Sequence, residues 1–416
     1  MGQSRPRIEP ERLKALLDGV NSFGLDPATG GFNRPGFSRA DVDCRKWFAG
    51  EMRADGLKVW TDGAFNVFGR FGPEGGPCVM AGSHLDTVVN GGAFDGSLGA
   101  CVALECVRAM KDAGLSPKTA VEVVATSEEE GRFGGMLGSQ ALAGKVSAEW
   151  IAAAVDADGI ALSDAMAAAG LEPGGVLDAA RPAGAVAAFL ELHIEQGPVL
   201  EAAGISIGIA EAISGVCYLE LVLTGVANHS GTTPMHLRSD AFTGLAELAG
   251  CVNGLIREAG TDQSRITIGH VDLSPNHPHT IPGKAVFSVI LRDTSEEVMH
   301  ALKARLLETA EAVAGRHGLS LESTERSWLA PVRLDTDIAD RLASLAERGG
   351  LPALRMPSGA GHDAQTMQSL CPSGLIFIPS RAGISHSPDE HSDWQDIEKG
   401  ARLMLQALVE LSGAGP

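Results

Sequence analysis

The chain has 416 residues, 44% of them hydrophobic and 20% charged, with no polar low-complexity tract; this length favours two domains over a single core. Against 33 Lys and Arg stand 52 Asp and Glu, and the resulting formal charge of −19 disfavours binding to nucleic acid or anionic membranes. No apolar run approaches the ~20 residues that span a bilayer. Met1–Pro10 lacks the apolar stretch of a secretory signal, and the seven cysteines contain no C-x-x-C pair, so the composition reads as a reduced, cytoplasmic protein.

In chain order, Pro77–Gly82 reads as a buried strand that delivers Ser83 and His84 at its end, and Leu98–Met110 as a helix with Asp95 and Gly96 near its start. Ala120–Ala125 is a second strand, running into Thr126-Ser127-Glu128-Glu129-Glu130, and Phe189–Ile194 a third that carries His193. Strands alternating with helices predict an α/β core with helices on both faces of the sheet, and polar residues at the strand ends then gather at one rim. From about Ser214 the pattern changes. Strands at 216–225, 265–273, 284–292 and 320–328, with helices at 240–260 and 295–318, make a β-α-β-β-α-β order, the order of a ferredoxin-like unit. The α/β character resumes after about Ala330, with strand Gly374–Pro379 and a final helix Trp394–Leu411. The expectation is a large discontinuous domain (1–213 and 329–416) interrupted by a smaller inserted one (214–328).

Polar residues cluster in five segments: Gly82–Thr87, Gly91–Gly96, Glu128–Gly131, His193–Gly197 and Ser385–Glu390. Each puts a histidine or carboxylate at a strand end or in a glycine-rich turn, and imidazole with carboxylate and no thiolate suits Zn, Mn, Co or Ni. Asp86, two residues beyond His84, is placed on the same strand face, where its carboxylate could orient the imidazole; the plainer reading is a turn cap. Glu129 and Glu130 face opposite ways in extended backbone, so one can bind metal while the other meets water. The plainer alternative is a solvated acidic loop.

These segments resemble the di-metal amidohydrolases of the N-carbamoyl-L-amino-acid hydrolase, allantoate amidohydrolase and β-ureidopropionase group of the M20 metallopeptidase clan. The likeness runs over nearly the whole chain and is most specific at GSHLDTV, GGAFDGSLGA, LHIEQGPVLE, NHSGTTPM, SGAGHDA and ISHSPDE. It implies two divalent metal ions per subunit, one on His84 and His193, the other on Glu130 and His386, with Asp95 bridging. It also implies that Glu129 is the general base and that the inserted domain is a dimerisation and lid domain, whose His229 reaches the partner's active site to stabilise the oxyanion. Arg292 resembles the arginine that grips the substrate carboxylate, although a surface ion pair with Asp293 is the alternative. Gln196, Asn276 and Gly359 resemble positions lining the substrate pocket. His362 and Asp363 receive no ligand role.

One position departs from the family pattern. Where a second asparagine is usual, Pro275-Asn276-His277-Pro278-His279-Thr280-Ile281-Pro282-Gly283 has His279. Histidine replaces an amide donor and acceptor with a ring that can become cationic, which points to a ligand with an extra anionic group, a different ureido length or a plain amide. The resemblance thus implies hydrolysis of an N-carbamoyl-L-amino acid, a small ureido substrate bearing a carboxylate. The alternatives are an allantoate or 3-ureidopropionate amidohydrolase, an amidase or aminoacylase-like enzyme, and a metal-free binding module. Phosphoester cleavage is disfavoured by the shortage of basic residues besides Arg292.

Overall fold

Apolar runs too short for a helix become strands wherever both of their faces find cover, and the central strands of this chain are of that kind. The computed structural model describes residues 6–415; residues 1–5, the start of the segment read for a secretory signal, lie outside them. By its internal contacts the chain forms two units, Met1–Glu211 with Leu334–Pro416, and Ala212–Arg333.

The strands in chain order are β1 (Lys58–Thr61), β2 (Val67–Phe71), β3 (Cys78–His84), β4 (Ala120–Thr126), β5 (Val186–Ile194), β6 (Ile207–Ile213), β7 (Gly215–Thr224), β8 (Arg265–Ser274), β9 (Lys284–Asp293), β10 (Ser320–Leu329), β11 (Val332–Arg333), β12 (Ala353–Ser358) and β13 (Ser373–Ile378). Nine of them form one mixed sheet in the order β1-β2-β4-β3-β5-β13-β6-β11, with β12 added against β6. The middle is parallel: β3 pairs with β4 and β5, and β13 with β5. Every residue of β3, β4 and β13 is buried, which is why these strands read as mainly apolar runs without regular alternation, β4 carrying Glu122 in an ion pair with Arg70 and Arg181. Helix Ser97–Asp112 packs on β3, β4 and β5, and helix Trp394–Leu411 packs on that helix, on β5 and on β13.

The sheet is not parallel throughout. The β1–β2 pair and the β2–β4 and β6–β13 pairs are antiparallel, and the sequence reading had named neither β1 nor β2. The four residues of β1 are exposed or half-buried, so no hydrophobic period marks them.

In the second unit β7–β10 form a four-stranded antiparallel sheet in the order β10-β7-β9-β8. Along β7 burial alternates, with Cys217, Leu219, Leu221 and Leu223 fully inside. They share a core with Leu245 and Leu248 of helix Ala241–Ala259 and with Leu302 and Leu306 of helix Glu296–His317. Among the described residues no helix is long and apolar enough to cross a membrane. The seven cysteines are free thiols, all but Cys251 buried.

Candidate metal centre

Parallel strands end together, and here their carboxyl ends hold the polar residues. His84 is the last residue of β3, Glu128–Glu130 follow β4, His193 is next to last in β5, and His386 sits in the loop after β13. Asp95 lies one residue before Gly96, the N-cap of helix Ser97–Asp112.

The Asp95 carboxylate is the hub. Its Oδ1 is 3.0 Å from His193 Nε2 and 3.6 Å from His84 Nε2, and its Oδ2 is 3.1 Å from His386 Nε2. Glu130 Oε2 stands 3.4 Å from His386 Nε2, and Glu129 Oε2 stands 3.7 Å from His84 Nε2. Ligand atoms of His84, Asp95 and His193 lie within 4.8 Å of one another, and so do those of Asp95, Glu130 and His386. The five residues expected to bind metal thus occupy one neighbourhood, with Asp95 common to both groups.

Both buried imidazoles have their far nitrogen fixed. His84 Nδ1 is 2.9 Å from the Asp86 carbonyl oxygen, and His193 Nδ1 is 2.9 Å from that of Ile194. A carbonyl only accepts, so each Nδ1 carries the hydrogen and each Nε2 turns toward Asp95. This corrects the expectation for Asp86: its backbone, not its carboxylate, orients His84. The carboxylate instead accepts from Arg45 Nη2 at 3.3 Å and from the Glu130 backbone N–H at 3.1 Å. The spacing of two residues put Asp86 near His84, but the buried Arg45 cation and the turn at Glu130 took up its oxygens.

The electrostatics are those of a site short of positive charge. Burial pushes the Glu129 carboxyl well above its usual range, with Glu130, Asp363 and Asp86 adding to the effect against the opposing pull of His84. Burial, then the charge of Asp95, lifts Glu130 to about 7. The hydrogen bond to Asp95 raises His386 to about 9. Burial also works against the Asp95 carboxylate, but imidazoles of His193, His386 and His84 that carry a second hydrogen, on Nε2, outweigh it and hold the group well below its ordinary value. Packed carboxylates around inward-turned imidazoles form a donor set that divalent cations satisfy.

Gln196 lies in the left-handed region (φ 58°), and its Nε2 is 3.0 Å from Asp95 Oδ2 and 3.2 Å from Ser385 Oγ. Glu390 carried no role in the sequence reading, yet it ties two of the loops together. Its Oε1 accepts from the backbone N–H groups of Phe94 and Asp95 at 2.9 and 3.0 Å, and its Oε2 accepts from Ser385 Oγ at 2.9 Å. Its place in Ser385–Glu390 was the only local signal. Behind the imidazoles, Glu191 accepts from Ser83 Oγ and the Ala364 N–H, and His362 packs edge-on to His193 with ring centroids 4.6 Å apart. One ligand-type atom from each of Glu191, His193 and His362 also falls within 4.8 Å of the others.

The sequence of the chain between positions 80 and 410 matches the model of the peptidase family M20/M25/M40. It belongs to that family. The chain is 36% identical over 412 residues to the N-carbamoyl-L-amino acid amidohydrolase of Geobacillus stearothermophilus, covering 97% of this chain and 99% of that protein. It is 35% identical over 407 residues to the allantoate amidohydrolase of Escherichia coli K12, covering 97% and 98%. Among solved structures, an amidase of the hydantoinase/carbamoylase family from Burkholderia multivorans superposes with a TM-score of 0.90 at 31% identity, covering 98% of this chain and 99% of that one. The chain is therefore an amidohydrolase-type hydrolase of the M20/M25/M40 family.

The remaining expected site residues lie on other segments of the chain. Gly359 follows β12 in the first unit. His229, Asn276, His279 and Arg292 belong to the second. There the segments of His229 and His279 run side by side: the Ser230 N–H donates to the His279 carbonyl at 3.0 Å, and His229 bridges Thr280. The exposed His229 ring accepts at Nδ1 from the backbone N–H groups of Gly231 at 3.0 Å and Thr232 at 3.2 Å. Arg292 lies near the end of β9, where burial lowers its pKa. The Asp293 carboxylate receives Thr261 and Ser264 hydroxyls and the Ser295 N–H.

Proposed function

We propose that this chain hydrolyses the ureido C–N bond of an N-carbamoyl-L-amino acid, giving the amino acid, CO2 and ammonia. The observation that carries the reading is the Asp95 carboxylate held among three imidazole Nε2 atoms, with Glu130 and Glu129 beside them. His84 and His193 would hold one divalent cation and Glu130 and His386 a second, with Asp95 shared; the oxygen and nitrogen donors suit Zn, Mn, Co or Ni. When bound, such a pair supplies Lewis acidity to the ureido carbonyl and lowers the pKa of water.

The protein groups do the rest. Glu129 is left with a carboxylate that burial makes eager for a proton, so its Oε2 takes one from the attacking water and returns it to the departing nitrogen. His229, whose Nδ1 is occupied as an acceptor, carries its hydrogen on Nε2 when neutral and offers it to the developing oxyanion. Arg292 grips the substrate carboxylate through its planar fork, and Gln196, Asn276, His279 and Gly359 line the substrate. The inserted unit serves as a dimerisation and lid domain in a cytoplasmic homodimer, with His229 of the partner subunit completing each site. An allantoate-type substrate is the second reading, supported by the Escherichia coli relative and by His279 in place of asparagine.

The test is ammonia release by metal-loaded protein from N-carbamoyl amino acids, allantoate, 3-ureidopropionate and N-acyl amino acids. Turnover of the carbamoyl compounds is expected, and Glu129→Gln should cut kcat by ~10²–10⁴-fold with metal content retained. Silence toward every ureido compound alongside N-acyl turnover would overturn the reading, and undiminished activity in Glu129→Gln would remove its base.

A further inference from the structure

A cavity of about 310 Å³ opens beside the metal centre, with Glu130 in its wall. Its volume is at the small end of ligand pockets, enough for one arm of a substrate. Val88 and Val89 supply apolar lining, and Val89 is 73% exposed. Across from them lie Arg132, Asp156 and Asp158.

The charges in this wall are unevenly spent. Arg132 gives Nε at 3.0 Å and Nη2 at 2.9 Å to Asp156 Oδ2, and Nη1 at 2.8 Å to the Gly36 carbonyl. Its guanidinium also lies 4.8 Å from the Phe133 ring centroid. The other oxygen of Asp156 accepts the backbone N–H groups of Asp158 and Ile160. Arg132 and Asp156 therefore cancel, and among the described residues no cation pairs with the exposed Asp158 side chain. What faces an incoming group is apolar surface with a residual negative charge at the rim.

We propose that this cavity receives the α-substituent of the substrate and selects aliphatic or cationic side chains over acidic ones. The inference rests on the carbamoyl-hydrolase reading. Continuity through Glu130 places the cavity next to the scissile group, an aliphatic side chain would cover Val88 and Val89, and a carboxylate-bearing one would meet Asp158 as a like charge.

The experiment compares kcat/KM for N-carbamoyl-L-leucine, N-carbamoyl-L-aspartate and N-carbamoylglycine in wild type, Asp158→Lys and Val89→Trp. In Asp158→Lys the aspartate-to-leucine ratio should rise on the order of tenfold. In Val89→Trp, which narrows the mouth at an exposed position, the leucine-to-glycine ratio should fall by a similar factor. Ratios that stay within about twofold in both variants, or all three substrates changing in parallel, overturn the assignment of the cavity while leaving the reaction standing. A wild-type enzyme that turns over none of the three overturns both.

Discussion

Removing the Arg45 guanidinium tests how far the centre depends on a buried ion cluster beneath it. Arg45 is fully buried in helix Arg39–Ala54 and reaches Asp41 Oδ1 at 2.7 Å, Asp86 Oδ1 at 3.3 Å and the Ala125 carbonyl at 3.1 Å. Arg45→Met keeps most of the stem but strands two buried carboxylates, and breaking such a cluster costs about 3–5 kcal/mol. Protonation limits the share of Asp41, which burial already lifts to about 6. Wild type already carries most of the cost of this raised carboxyl, so protonation caps the Asp41 share of the loss at about 1.4 kcal/mol at pH 7, one unit above its value of about 6, and close to zero at pH 5. The gap between variant and wild type should therefore shrink as pH falls. In thermal melts of metal-stripped protein the midpoint should drop by roughly 3–6 °C at pH 7 and by about 1–2 °C less at pH 5. Because Asp86 also holds the Glu130 N–H, metal affinity should fall ~10–100-fold. A midpoint loss under about 2 °C, or a gap that does not narrow at pH 5, would refute the reasoning.

Three other outcomes follow from single sites. Gly96 has φ +60°, and a Cβ there would run into the His84 ring, so Gly96→Ala should displace that imidazole, lower bound metal by elemental analysis and cost about 1–3 kcal/mol; full metal content with an unchanged melt would count against this geometry. Burial raises Asp62 from 3.8 to about 6 despite hydrogen bonds from Asn66 and Ala64. The folded state binds that proton more tightly, so its stabilisation is present below pH 3.8 and lost by about pH 6. Relative to Asp62→Asn, wild type should thus lose roughly 3 kcal/mol across that window in urea titrations, and parallel pH curves would contradict the assignment. His229 is exposed, so His229→Ala should melt like wild type while kcat falls ~10²–10³-fold; unaltered kcat would exclude it as the oxyanion donor.

The sequence alone was enough to locate β3, β4, β5 and β13 and the helices Ser97–Asp112 and Trp394–Leu411, because burial on both faces or on one stripe leaves a local apolar period. It also marked His84, Asp95, Glu130, His193 and His386, since each is a polar residue directly beyond such a period or in a glycine-rich turn. Partner choice was left to the tertiary structure. Glu390 binds the Asp95 loop from 295 positions away, and Arg45 claims the Asp86 carboxylate that proximity in sequence had assigned to His84. Hydrophobic periodicity is a property of neighbours along the chain, whereas a buried carboxylate goes to whichever donors the packed core brings within reach, and only the folded chain brings them there.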